Sequence, residues 1–317
     1  MNIKNNQNEN NQKNLKNKWG NVVTACITPF DQDLKVDFKE FKKLISYLEN
    51  HTDSILIFGT TGESPTLNLE EKIEISKFVK ENTSLPVIAN ISSNNYEKAL
   101  KEMEKLNKLD LDGYLITTPY YNKPPQDSLY DYFYNLSLNT DKPIMIYNIP
   151  SRTGIDLLPD TIVELAKIDN IIALKQSHND ISKVIEIKAK LIKNNLDNKF
   201  FIYSGDDILT LPLLSLGAYG VISVASHLIG KELKQMIKEF NNNPTLSYQI
   251  HYKYYDLFNV LFITTNPIPV KQAMEFLGFN VNNLRKPLRK ANEKEKQTIL
   301  QVLQNLGLLN INIKVSS

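Results

Sequence analysis

At 317 residues, 42% hydrophobic and 23% charged, the chain is long enough for one large domain or two ordinary ones around a sizeable core. Lys plus Arg (37) nearly balances Asp plus Glu (35), and a net charge of +2 gives no electrostatic case for a nucleic-acid or anionic-membrane partner. The single cysteine, Cys26, excludes an internal disulfide and a multi-cysteine zinc site, and no apolar run is long enough to predict a transmembrane helix.

Residues 1–18 hold eight Asn, four Lys and one Glu, with only Met1, Ile3 and Leu15 apolar. This segment is expected to be a disordered tail, because it cannot bury enough apolar surface to offset its ordering entropy. It lacks the apolar stretch of a secretory signal, so a cytoplasmic location is expected. From residue 22 short β-branched runs alternate with longer amphipathic stretches. Eight strands are predicted: Val22–Thr28, Ser54–Phe58, Pro86–Ile91, Gly113–Thr117, Pro143–Ile149, Ile171–Lys175, Phe200–Ser204 and Gly220–Val224. All are short and mostly apolar, as strands buried on both faces require. Helices are predicted over 37–49, 69–81, 94–109, 128–138, 159–166, 181–193 and 208–216, with Asp37 and Asp180 as N-caps and Pro159 at a first helical position.

Eight βα steps in about 210 residues fit a (β/α)8 TIM barrel better than an open doubly wound sheet. The open sheet would want a Gly-rich turn after its first strand, where this chain reads Pro29-Phe30-Asp31. Helical patterns over 231–240, 245–262, 268–277 and 293–308 add a last barrel helix and a C-terminal helical extension. The expected division is a tail over 1–18, a barrel over 19–240 and the extension over 241–317.

In such a barrel chemistry collects at the C-terminal ends of the strands. Lys175 closes the apolar run Ile171–Leu174, and strand parity places it on one side with Ile171 and Ala173. If that side is the interior, desolvation lowers the lysine pKa and makes the amine a nucleophile toward a carbonyl; otherwise the side chain reaches from a strand end into solvent. Gly59-Thr60-Thr61-Gly62-Glu63-Ser64 offers hydroxyls and backbone N–H groups to a carboxylate or phosphate, or is an ordinary βα turn. Tyr120, Tyr121 and Tyr147 stand at strand ends as proton-relay or packing residues, and Arg152 is a carboxylate clamp or a surface charge. Asp206-Asp207 reads as a helix N-terminus rather than a metal-ligand pair, and the four histidines show no metal-ligand spacing.

Taken in order, Gly59–Ser64, Thr118-Pro119-Tyr120-Tyr121-Asn122, Tyr147–Gly154, Ala173-Leu174-Lys175, Ser204–Asp207, Gly220–Ser223 and Asn266–Lys271 resemble the dihydrodipicolinate synthase family of class I pyruvate-dependent aldolases. The resemblance runs from about Gly20 to the C-terminus. It implies a lyase that joins pyruvate, held as a Schiff base on Lys175, to L-aspartate 4-semialdehyde on the route to lysine and diaminopimelate. It makes Thr60, Tyr121 and Tyr147 the proton relay, with Tyr121 reaching into a neighbouring subunit. Thr61 would hold the pyruvate carboxylate and Arg152 the semialdehyde carboxylate, while Gly205 and Ile222 would line the site through backbone. It implies no metal and no nucleotide cofactor, and a homotetramer built as a dimer of dimers.

This chain departs from the family pattern in places. Lys-Glu-Ala-Ser/Thr-Gly becomes Lys175-Gln176-Ser177-His178-Asn179, and Gly-Thr-Gly after the third strand becomes Asn90-Ile91-Ser92. Both lie near the rim and bear on substrate choice rather than on the Schiff base. Lysine-inhibited relatives tend to carry His at the place of Lys72 and Glu at that of Lys98; two cations there predict weak or absent feedback inhibition. The rival readings are another aldolase of the same barrel, such as an N-acetylneuraminate lyase, and a non-catalytic barrel. Thr60-Thr61 and Arg152 weigh against the first, and the joint presence of Lys175, Tyr147 and Thr60 against the second.

Overall fold

The computed structural model describes residues 19–178 and 180–310, so the tail over 1–18, Asn179 and the end of the expected extension, 311–317, lie outside the described residues. Eight parallel strands close into a barrel in sequence order: β1 (Val22–Ala25), β2 (Ser54–Ile57), β3 (Val87–Ile91), β4 (Gly113–Thr117), β5 (Ile144–Asn148), β6 (Ile171–Gln176), β7 (Phe201–Ser204) and β8 (Gly220–Ser223), with β8 pairing back to β1. All eight fall on the predicted runs. Around them stand α1 (Phe38–Leu48), α2 (Leu69–Glu81), α3 (Tyr96–Leu106), α4 (Gln126–Ser137), α5 (Pro159–Leu165), α6 (Ile181–Lys193), α7 (Thr210–Ser215) and α8 (Ser226–Glu239). Local chemistry starts several of them. Asp37 caps α1 by accepting from Glu40 N, Asp180 caps α6 by accepting from Ser182 N, and Pro159 opens α5. A capping box of Asn68 and Glu71 starts α2, whose buried stripe is Lys72, Ile75, Ser76 and Val79, with Ile73 and Phe78 half-buried.

Two cores follow from the two faces of the sheet. Outward residues such as Ile55, Ile57, Ile116 and Leu174 pack against the helices, while Val23, Leu56, Leu115, Met145, Ala173 and Tyr203 fill the barrel. Trp19 packs with this interior cluster and donates Nε1–H to the Asp112 carbonyl at 3.2 Å. Parity needs one correction on β6. The β5–β6 register jumps from Ile144↔Ile171 to Met145↔Ala173, so Ile172 is an extra residue. The bulge turns Ile171 outward while Ile172 and Ala173 both enter the interior core. Lys175 therefore shares the inward side with Ala173 but not with Ile171.

After the barrel come α9 (Pro244–Lys253), α10 (Tyr255–Val260), α11 (Ile268–Phe276) and α12 (Glu293–Asn305). The single helix predicted over 245–262 is broken at Tyr254 (φ −99°, ψ 11°). This region is bolted to the β2 loop. Lys271 of α11 and Glu63 form an ion pair at 2.5 Å with both side chains fully buried. Lys271 Nζ also donates to the Asn283 carbonyl at 2.8 Å, and Glu63 Oε2 accepts from Arg285 N at 3.0 Å. Burial holds the Lys271 ammonium down at about 8, with Glu63 opposing that shift.

His227 supplies a second tie, between α8 and the segment after β1. Ile27 N–H donates to Nε2 at 3.3 Å, so the proton sits on Nδ1, 2.8 Å from the Val224 carbonyl. Burial first, with the Val224 bond opposing, lowers this imidazole to about 4.

Two outcomes are expected. Lys271→Met strands a buried carboxylate and should cost about 3–5 kcal/mol in urea melts, whereas adding Glu63→Gln should restore most of it. For His227 the unfolded chain binds the extra proton between pH 6.5 and about 4, so stability is full above pH 6.5 and is lost on acidification. The urea midpoint should fall across that window by the equivalent of about 3 kcal/mol, and fall less in His227→Gln.

Candidate active site

The C-terminal ends of the strands open on a cavity of about 160 Å³. Lys175, 7% exposed, projects into it from β6. Its register partner on β5 is Tyr147, and Lys175 Nζ lies 4.2 Å from the centre of that ring. An amine in this position is removed from water by the barrel itself and meets an aromatic face and a phenol.

The β2 loop brings Thr60 and Thr61 to the same cavity. Thr61 is buried, and its Oγ1 accepts from Asn266 Nδ2 at 2.9 Å. That leaves the Thr61 hydroxyl proton free to donate to a bound anion. The loop bends through two left-handed residues, Phe58 (φ 63°) and Glu63 (φ 54°), and the Glu63 conformation is held by the Lys271 pair.

After β5 a single helical turn, Pro150–Thr153, carries Arg152 to the mouth. Thr153 Oγ1 closes this turn by donating to the Ile149 carbonyl at 3.0 Å. Gly205 lines the cavity, donating N–H to the Gln176 carbonyl at 2.8 Å, and a Cβ there would sit 1.9 Å from Ser177 Oγ. Ile222 belongs to the interior core, two residues below Val224, which reaches the cavity. Six of the eight expected site residues (Lys175, Tyr147, Thr60, Thr61, Arg152 and Gly205) thus converge, and Ile222 lies one layer deeper.

Tyr121 does not converge. It is 87% exposed, in a left-handed conformation (φ 73°), with its N–H on the Thr153 carbonyl at 3.1 Å. A second cavity of about 230 Å³ adjoins the first, sharing Thr60, Tyr147, Ile149 and Arg152 and adding Asn90, Thr117 and Tyr120.

The aspartate pair divides its work. Asp207 starts a 3₁₀ turn, yet its buried carboxylate crosses to the β8–α8 connection, accepting from Ser223 Oγ, Val224 N at 3.0 Å and Ala225 N at 2.9 Å. Burial raises its pKa and these bonds oppose the rise. Asp206 instead lines the cavity with Lys175 and Arg152; burial raises its carboxyl, Lys175 and Arg152 pull it down, and Asp207 adds to the rise. The sequence placed both at a helix start. No spacing rule separates a carboxylate that crosses to the next loop from one that faces a cavity. Asn266 was likewise visible only as part of a motif, with no role attached.

Residues 18–306 match the model of the dihydrodipicolinate synthetase family. A protein of Desulforamulus reducens named 4-hydroxy-tetrahydrodipicolinate synthase is 43% identical over 92% of this chain and 98% of its own length. The lysine-bound structure of the Cyanidioschyzon merolae synthase superposes with a TM-score of 0.88 at 41% identity, covering 92% of this chain and 99% of that one. The chloride-inhibited synthase of Acinetobacter baumannii, complexed with pyruvate, superposes with a TM-score of 0.85 at 34% identity over 92% and 99%. With a matched model spanning nearly the whole described chain and the same barrel in its relatives, the chain belongs to the dihydrodipicolinate synthetase family.

Proposed function

We propose that the protein is a 4-hydroxy-tetrahydrodipicolinate synthase, a lyase that condenses pyruvate with L-aspartate 4-semialdehyde. The observation that carries this reading is the inward Lys175, packed on the Tyr147 ring at the end of a small cavity that also holds Thr60 and Thr61. A cavity of about 160 Å³ lies below the range typical of drug-sized ligands and suits a small keto acid.

The Lys175 amine attacks the pyruvate carbonyl carbon, and loss of water leaves an imine. The Thr61 hydroxyl, already turned by Asn266, donates to the pyruvate carboxylate. Loss of a methyl proton then gives an enamine, because the imine nitrogen accepts the electron pair. The enamine carbon bonds to the semialdehyde aldehyde carbon, whose oxygen takes up a proton. The substrate amine attacks the imine carbon, closes the ring and expels Lys175 as a free amine. Thr60 and Tyr147 border Lys175 and are suited to carry these protons.

The acceptor is an amino acid, and the mouth offers both charges it needs. Arg152 suits the carboxylate in bidentate form, and Asp206 is complementary to the ammonium. Tyr121, exposed and lining neither cavity, is suited to complete the relay of a neighbouring copy in the proposed dimer of dimers. Among the described residues no helix is long and apolar enough to cross a membrane. Soluble substrates of this kind fit a cytoplasmic enzyme.

Feedback by lysine is expected to be weak or absent. Lys72 Nζ bonds Glu102 at 2.8 Å, and Lys98 lies one turn before Glu102 on α3. The carboxylate beside Lys72 is thus already engaged, and a further ammonium meets cations. The lysine bound in the Cyanidioschyzon merolae relative is therefore not expected at this site.

Incubation with pyruvate and borohydride should add the mass of one reduced pyruvate per chain to the wild type and none to Lys175→Ala. A wild type without adduct would sink the Schiff-base assignment. Millimolar lysine should leave the turnover rate within about twofold, less than 0.5 kcal/mol of coupling; inhibition at sub-millimolar lysine would contradict the charge argument.

A further inference from the structure

Asn90, the penultimate residue of β3, is 2% exposed and has no part in the chemistry above. Its side-chain amide is engaged at both ends. Nδ2 donates to the Phe58 carbonyl at 2.9 Å, and Oδ1 accepts from Thr117 Oγ1 at 2.9 Å. The orientation is forced by chemistry. A carbonyl oxygen can only accept, so the amine side must face Phe58 and the oxygen is left for the threonine hydroxyl.

Each end leads to a different arm of the site. Phe58 holds a φ of 63°, which a bulky residue adopts only when its surroundings impose it. Gly59 and Thr60 follow directly, so the direction in which the chain leaves β2, and with it the place of the Thr60 hydroxyl, is set at that peptide. Thr117 ends β4 and is the register partner of Tyr147 on β5. Asn90 itself lines the second cavity beside Thr60, Thr117 and Tyr147. One buried amide on β3 thus bridges the strained exit of β2 to the end of β4.

We propose that Asn90 is a positioning residue that clamps the Phe58 peptide to Thr117 and so holds the Thr60 and Tyr147 hydroxyls in register for proton transfer. The proposal rests on the reading that those hydroxyls serve Lys175. The family pattern quoted above has glycine where this chain has Asn90, and a glycine has no side chain with which to make either contact. In this chain the amide sets a geometry to which proton transfer is sensitive, since a misplacement of about 1 Å costs on the order of 100-fold in rate.

Four variants test it: Asn90→Ala, Asn90→Asp, Thr117→Val and the double Asn90→Ala/Thr117→Val. Asn90→Asp is nearly isosteric and keeps the acceptor for Thr117 while losing the donor to Phe58. In Asn90→Ala and Asn90→Asp kcat should fall about 10–100-fold. KM for pyruvate should stay within about threefold, and borohydride should still trap one pyruvate per chain. The solvent deuterium isotope effect on kcat should rise, because a misaligned proton transfer becomes rate-limiting; general loosening of the barrel would not move it. The double variant should be no slower than Asn90→Ala, because Thr117 acts through the amide.

Wild-type kcat and isotope effect in Asn90→Asp, with trapping intact, would overturn the proposal and leave the function standing. Additive losses in the double variant would also overturn it. A wild-type protein that traps no pyruvate would overturn the function and this inference with it. Should Asn90→Ala fail to fold, Asn90→Asp and Thr117→Val, read on kcat and the isotope effect, decide the matter.

Discussion

Closure of the eight-stranded barrel is the constraint on which the rest depends. Once β8 pairs with β1, every inward side chain is taken out of water by its neighbours on all sides. Most inward positions answer with apolar or aromatic residues. Near the top of β6 the same geometry presents an amine, with Tyr147 against it and no ion pair to Lys175 among the described residues. Burying an amine without a direct salt bridge is costly, and such cost is tolerated where chemistry uses it.

The β2 loop shows how the fold meets a related cost. Phe58 and Glu63 stand in a backbone region that disfavours side chains, and the surroundings over-determine both. Glu63 is held by a fully buried lysine and by the Arg285 N–H, and Arg285 in turn donates to the Thr66 carbonyl and to Glu71. These partners come from the C-terminal region, more than two hundred residues downstream. The extension therefore does more than cover the barrel: it supplies Asn266, Lys271 and Arg285 to the loop that carries Thr60 and Thr61.

The rim is also where positive and negative charge are kept apart in useful ways. Asp207 spends its charge on the β8–α8 connection, so it stiffens the scaffold. Asp206 keeps its carboxylate toward Lys175 and Arg152. Neighbours in sequence thus serve a structural and a site role because Asp206 keeps an extended backbone (φ −128°, ψ 127°) while Asp207 already enters the 3₁₀ turn.

Much of this was legible in the residues themselves. The eight strands, most of the helices, the caps at Asp37 and Asp180 and the helix start at Pro159 follow from period, length and capping chemistry, which are local properties of the chain. The motif order was enough to single out Lys175, Tyr147, Thr60, Thr61 and Arg152. Other features were decided only by the tertiary structure. The bulge at Ile172 broke the parity that linked Lys175 to Ile171, because register is set by pairing between strands and not by one strand alone. The pairing of Glu63 with Lys271, the crossing of Asp207 to β8 and the bridge made by Asn90 join residues far apart in the chain. A buried polar group takes whichever partner the closed barrel brings within reach, and no local pattern records which partner that is.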